Sequence, residues 1–300
     1  DTKLLPFLGV DPRWKGNGVE LCNTVQNYFN TPVNVNEMKS VNPFYGLKLY
    51  PSTGFYFFDE RLKETLTWAA AHDVPILTHC SYLGGIYNND RDYLISHVSA
   101  FNVYTGKNHP APAAHHQLEK KFFRRIIGVQ KSKNNLYYSS YFLEPESYRS
   151  VLTYFRDVVK TPLKLCFAHF GSDEHMVLQH EGKGLDKNLY GVLPRENWTK
   201  QIQNLMLEFD TVYTDISYSL TNKETHNFIF NELNKSYGNR ILFGTDYYMT
   251  EREGKERDTY NSFKSAALQK QITQNGVTQN AWDMIAGSNV RGFLRSRYFV

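Results

Sequence analysis

Four short apolar runs in this sequence each close on a residue able to do chemistry. FYGLKLYP carries Lys48, VPILTHC carries His79, LKLCFAHFG carries His169 and RILFGTDYY carries Asp246. Two imidazoles, a carboxylate and an amine brought to one place would make either the ligand set of a divalent metal or an acid–base set. A bound metal lowers the pKa of its water from about 16 to about 7, which gives a hydroxide nucleophile at neutral pH. A neighbouring carboxylate can then take the proton, while an imidazole polarises or protonates the substrate. Each residue taken alone has a plainer explanation. A histidine closing an apolar strand is ordinarily a hydrogen-bonded core residue, the Asp of a GTD turn ordinarily caps the next helix, and Lys48 can serve an internal ion pair. The recurrence at four equivalent positions is what favours a shared site.

Other residues qualify by position. Asp215 and Ser217 in VYTDISY stand near the end of another run, within reach of such a site, although Asp215 serves equally well as a structural cap or pairing group. Tyr82, just after His79, can line a pocket. TEREGKERD reads as a loop offering Arg252, Lys255 and Arg257, one of which can take a substrate carboxylate, while such a charge run is ordinarily a solvated face. Cys80 alternates with His79 across a strand and so reads as packing. KKFFRR at 120–125 places phenylalanines among charges, and at helical spacing these pack inward while the charges stay wet.

The elements that must position these residues follow from the hydrophobic pattern. The runs LLPFLGV, FYGLKLY, VPILTHC, LKLCFAHF, TVYTDISY and RILFGTD are short and nearly continuous, as strands covered on both faces require. Amphipathic stretches lie between them at 59–72 (with Asp59 as N-cap), 146–160, 196–209 and 223–237. A last helix near 279–287 is expected to end at Gly287. No antiparallel hairpin is expected. This strand–helix rhythm allows an open doubly wound sheet or a (β/α)8 barrel. No GxGxxG follows the first strand and no GxxxxGK[ST] occurs, so dinucleotide and P-loop chemistry lose their support. The barrel gains because it gathers strand C-terminal ends at one mouth. The stretch 81–140 is too long for one strand–helix connection and is expected to be a lid, a cap or an oligomer contact within a single domain spanning 1–300.

Composition sets the outer bounds. The 300 residues are 41% hydrophobic and 15% aromatic, enough for a sizeable core. The net charge of +4 is too modest for a typical nucleic-acid binder. No run of eighteen apolar residues is present, so no membrane-spanning helix is expected. Cys22, Cys80 and Cys166 form neither a disulfide framework nor a CxxC zinc spacing. The expectation is a small-molecule substrate, no nucleic acid, no membrane, homo-oligomerisation left open, and a cytoplasmic location.

In their order and spacing, the strings GLKLYPSTGFYFFDERLKETLTWAAAHDVPILTHC, LKLCFAHFGS, VYTDISY, RILFGTDYY and IAGSNVRGFL resemble the amidohydrolase-related branch of the amidohydrolase superfamily. That branch includes metal-dependent hydrolases and decarboxylases related to aminocarboxymuconate-semialdehyde decarboxylase. The resemblance runs from about residue 4 to 296, interrupted by 81–140, and implies a (β/α)8 TIM barrel. LLPFLGVDPR would be its third strand, and the first two strands would be absent from the sequence. It implies His79 as a metal ligand, Asp246 as metal ligand and general base, and His169 as the histidine that contacts substrate or a second metal. Lys48 would face substrate, alongside Tyr82 and Arg252, which are read as substrate-binding from their positions alone. Lys48 would stand where some members carry a carboxylated lysine, its GxKxxP context being closer to the unmodified type. The cofactor implied is a divalent ion, zinc or alternatively manganese. The family's first-strand HxH pair does not occur, and His115 and His116 are adjacent, inside the insert. Three readings follow: a metal-dependent hydrolase of C–N or C–O bonds, a non-oxidative decarboxylase of aromatic or unsaturated acids, and a non-catalytic barrel that has lost its metal.

Overall fold

The computed structural model describes residues 5–36, 39–82, 88–109, 138–184, 196–253 and 255–296. The chain divides into two compact units, one of residues 1–79, 83–165 and 294–300, the other of residues 80–82 and 166–293.

In the first unit β1 (Phe7–Val10) begins the chain's strands, and α1 (Gly18–Asn30) follows it. The Asn17 side chain caps the helix by accepting the Glu20 amide, and its amide nitrogen donates to the Glu20 carboxylate. The helix buries Leu21, Cys22, Val25 and Phe29. A ribbon of β2 (Val33–Asn36) and β3 (Lys39–Val41) precedes β4 (Gly46–Leu49) and its partner β5 (Ile76–Thr78). The strand order is β1–β4–β5, all parallel, with Lys48 opposite Gly9 on one side and Leu77 on the other. The crossover from β4 to β5 is the expected amphipathic stretch. Asp59 accepts the Arg61 amide at 3.0 Å, a tight turn follows, and α2 (Lys63–Ala71) buries Leu66 and Ala69. Phe29 of α1 meets Trp68 of α2 edge-on at 5.0 Å, so the two helices share one apolar seam. Beyond β5 come α3 (Arg91–His97), the ribbon of β6 (Phe101–Asn102) and β7 (Lys107–Asn108), and α4 (Arg149–Tyr154). His115, His116 and KKFFRR lie outside the described residues.

The second unit holds β8 (Leu165–Phe167), which it takes in from Cys166 onward, then α5 (Asp173–His180), α6 (Trp198–Glu208) and β9 (Val212–Asp215). Next come α7 (Thr225–Glu232) and β10 (Ile241–Leu242), which pairs parallel with β9. The order is β8–β9–β10. Arg240 fixes where β10 starts. Its buried guanidinium donates to the carbonyls of Met206 and Phe209, acceptors at the end of α6, and to that of Val212 at the start of β9. Six short strands in the expected runs thus lie three to a unit, alternating with helices.

Three expectations are corrected. Antiparallel ribbons are present: β2–β3, β6–β7, and β11 (Gln271–Gln274) with β12 (Val277–Asn280). The last has Asn275 at φ 50° and Gly276 at φ 78° at its tip, both left-handed as a type I′ turn requires. The final helix does not stop at Gly287. A short α10 (Ala281–Asp283) widens through Met284–Ser288 and continues as α11 (Asn289–Leu294), because Asn289 anchors it to the carbonyls of Gly238 and Ile241 and Phe293 carries its apolar face onward. TEREGKERD is not one loop. Its start belongs to α8 (Tyr247–Glu253), which carries Arg252, and its end to α9 (Glu256–Gln269). Among the described residues, no helix is long and apolar enough to cross a membrane.

Candidate functional site

The strand ends of the second unit carry an unusual backbone. Of the eight non-glycine residues with positive φ among those described, His169, Phe170, Ser172, Tyr218 and Asp246 all follow β8, β9 or β10. Such conformations cost about 1–3 kcal/mol each and persist only where the surroundings over-determine them. Here the over-determination is visible. Asp215 Oδ1 accepts the backbone N–H of His169 at 3.0 Å, Ser219 Oγ donates to the His169 carbonyl, and Thr199 Oγ1 donates to the Phe170 carbonyl at 2.8 Å. The Gly171 carbonyl accepts the Tyr82 amide at 3.1 Å. β8 is therefore held in a turn that brings the His169 ring to Ser217. Nδ1 lies 3.0 Å from the Ser217 carbonyl and 3.0 Å from its hydroxyl.

Asp215 thus takes the structural one of its two expected roles. One oxygen of its carboxylate gathers the amides of His169 and Ser217 and the Ser217 hydroxyl. Asp246, at φ 54°, precedes α8, and its carbonyl accepts the amides of Met249 and Thr250. Side-chain capping relies on extended backbone at the N-cap, which Asp246 lacks. Its carboxylate enters no hydrogen bond or ion pair with the described residues, so the plain helix-cap explanation of GTD does not hold. The glycine of that motif permits the close approach: a Cβ on Gly244 would sit 2.9 Å from Ser217 Cβ. Ser217 therefore touches His169 on one side and the segment leading to Asp246 on the other.

The Tyr82 ring stacks on His175 at 5.0 Å and meets Trp198 edge-on at 5.2 Å. His175 Nδ1 accepts the Trp198 amide, and burial pushes its pKa down to about 4.

In the first unit, His79 follows β5 and donates its amide to the Leu49 carbonyl. Its ring stacks on Tyr50 at 5.6 Å, and Lys48 Nζ stands 4.9 Å from the same Tyr50 ring. Tyr50 escaped the sequence reading. Its spacing of two from Lys48, which puts both on one face of the strand path, was the available signal. Cys80 is fully buried and its thiol is pushed up by that burial, in keeping with packing.

The expected metal ligands are divided between the units, His79 in the first, His169 and Asp246 in the second. Among the described residues, no group of three His, Cys, Asp or Glu side chains could hold a metal. His169 and Asp246 amount to two donors where a zinc site takes four ligands. The described residues therefore do not fit a complete metal site.

No family model matches the sequence, and no curated protein matches it. Solved structures do resemble it. The 5-carboxyvanillate decarboxylase of Sphingomonas paucimobilis superposes with a TM-score of 0.50 at 10% identity, covering 97% of this chain and 67% of that one. An uncharacterised TIM-barrel protein from Bordetella bronchiseptica gives 0.48 at 11% identity, with 97% and 66% covered. A 2,6-dihydroxybenzoate decarboxylase gives 0.47 at 10%, with 97% and 70% covered. The chain spans about two thirds of the length of these proteins. The likeness to the first shows a shared fold, an α/β arrangement of parallel strands and helices.

Proposed function

We propose that the chain is an enzyme in which Asp246 and His169 handle protons on a small carbonyl-containing substrate, hydrolysing a C–N or C–O bond. The observation that carries this reading is Asp246, a carboxylate on a left-handed residue with no structural partner among the described residues, in the same unit as a histidine whose turn is equally strained, Ser217 touching both that histidine and the segment that leads to Asp246. Strained residues kept at strand ends in this way concentrate at sites of function, and strand C-terminal ends are where barrel enzymes place their chemistry. Asp246 takes a proton from the attacking water as its oxygen bonds to the carbonyl carbon. His169, protonated on both nitrogens for this step, delivers its Nε2 proton to the departing nitrogen or oxygen and is left neutral with its proton on Nδ1; the proton on Asp246 restores it.

A divalent ion, zinc or manganese, with His79, His169 and Asp246 proposed among its ligands, would need more donors than the described residues bring together. No step above is routed through an ion, because the described residues do not assemble its site. Lys48, beside the Tyr50 ring, and Arg252 are proposed as substrate-binding cations. Tyr82, held by His175 and Trp198, would form a wall. The activity named for the S. paucimobilis protein supplies a second reading on the same residues, non-oxidative decarboxylation, in which a proton replaces the carboxylate on carbon.

A panel of amides, lactones and aromatic acids, offered with and without added zinc or manganese, tests the proposal. Metal-dependent product release without carbon dioxide supports hydrolysis. Carbon dioxide release supports decarboxylation. No turnover of any class with either metal rejects both and leaves the non-catalytic barrel.

A further inference from the structure

We infer that Ser217 and Asp215 are positioning residues that hold His169 in a single tautomer, with the proton on Nδ1 and the electron pair on Nε2. The inference rests on the proposed role of His169 for its functional meaning, but its geometry stands apart from that role. The Ser217 carbonyl lies 3.0 Å from His169 Nδ1, and a carbonyl oxygen only accepts, so this contact requires a proton on Nδ1. The Ser217 hydroxyl lies 3.0 Å from the same nitrogen and could in principle donate or accept. Its proton is committed elsewhere, in a short bond to Asp215 Oδ1, so toward the ring the hydroxyl accepts. Both contacts select the same tautomer.

The backbone is built to present both groups at once. Tyr218 sits at φ 64°, ψ −45°, and the Ser219 amide reaches the Ser217 carbonyl at 2.7 Å, which is the rare and strained form of the γ-turn. Asp215 Oδ1 holds the amides of both Ser217 and His169 at 3.0 Å. One carboxylate oxygen therefore fixes the turn that carries the ring, the turn that carries its acceptors, and the direction of the hydroxyl proton between them. A purely structural Asp215 would hold the two amides and be indifferent to which ring nitrogen is protonated.

The indifferent and the positioning versions separate in the imidazole nitrogen spectrum of the whole protein, ¹⁵N-labelled at histidine and read at pH 8, with His169 assigned by its loss in His169→Gln. The wild type should show a protonated Nδ1 and an unprotonated Nε2. Asp215→Asn keeps an acceptor for the two amides but removes the charge that draws the Ser217 proton. The hydroxyl is then able to donate to Nδ1, and the Nε2–H form should gain roughly tenfold. Adding Ser217→Ala to Asp215→Asn removes that donor, leaves only the carbonyl, and should restore the Nδ1–H form. A wild-type proton on Nε2 overturns the inference, and so does a tautomer ratio equal in the wild type and Asp215→Asn. If Asp215→Asn does not fold, the wild-type spectrum alone decides between the two tautomers. The Nδ1–H form in a protein that turns over nothing would keep the positioning and remove the proposed function, so the two can fail separately.

Discussion

At the scale of single residues, the sequence named His169 and Asp246 from their place after apolar runs, and could not say how they would be held. The left-handed turn at His169 depends on Asp215, 46 residues away, and on Ser219 and Thr199, which no local pattern links to it. Asp215 was legible as a candidate and ambiguous in role, since a carboxylate that binds substrate and one that binds amides look alike in sequence. His175 was not legible at all, being one polar residue in an ordinary helix, yet it makes a measurable claim. Burial alone holds its folded pKa at about 4, against an ordinary value near 6.5. Between those values the unfolded chain takes up a proton that the folded chain refuses. Stability therefore falls as pH drops through that window and is unaffected by this group above it, with a full effect of about 3 kcal/mol. Urea midpoints at pH 7 and pH 4.5 should fall less for His175→Gln than for the wild type. Equal losses would contradict the account. His226, also depressed by burial, adds a slope common to both proteins.

At the scale of elements, the apolar runs were legible because strands covered on both faces are written as continuous Val, Ile, Leu and Phe. All six runs contain a strand, although β10 keeps only Ile241–Leu242. The misses had different physical causes. Asn275–Gly276 is a strong hairpin signal, passed over because Gln271–Gln274 and Val277–Asn280 are too polar to resemble core strands. Gly287 failed as a stop because tertiary hydrogen bonds from Asn289 outweigh a local C-cap preference. In GTD, glycine turns out to matter through an element contact: Gly244 lies where a Cβ would meet Ser217. Gly244→Ala must push the end of β10 away from Ser217, at a cost of about 1–3 kcal/mol by overpacking, readable as a lowered thermal midpoint. An unchanged midpoint would mean that this contact does not fix the strand ends.

At the scale of the whole molecule, parallel strands alternating with helices were readable from periodicity, and the superposition on a decarboxylase of known structure bears out that class of fold. The division into two compact units was not readable, since the boundaries at 79–82 and 165–166 fall in or beside strands and no linker composition marks them. The central claim is that Asp246 is kept strained, and without a structural partner among the described residues, for chemistry. Asp246→Gly tests it most directly, because glycine adopts φ 54° without the penalty that aspartate bears. The measurement is turnover of the substrate class that the wild type accepts, beside unfolding free energy in the same buffer. Turnover is predicted to fall by about 100-fold or more, while stability holds or rises by about 0.5–1 kcal/mol. Turnover within a few-fold of the wild type would contradict the claim.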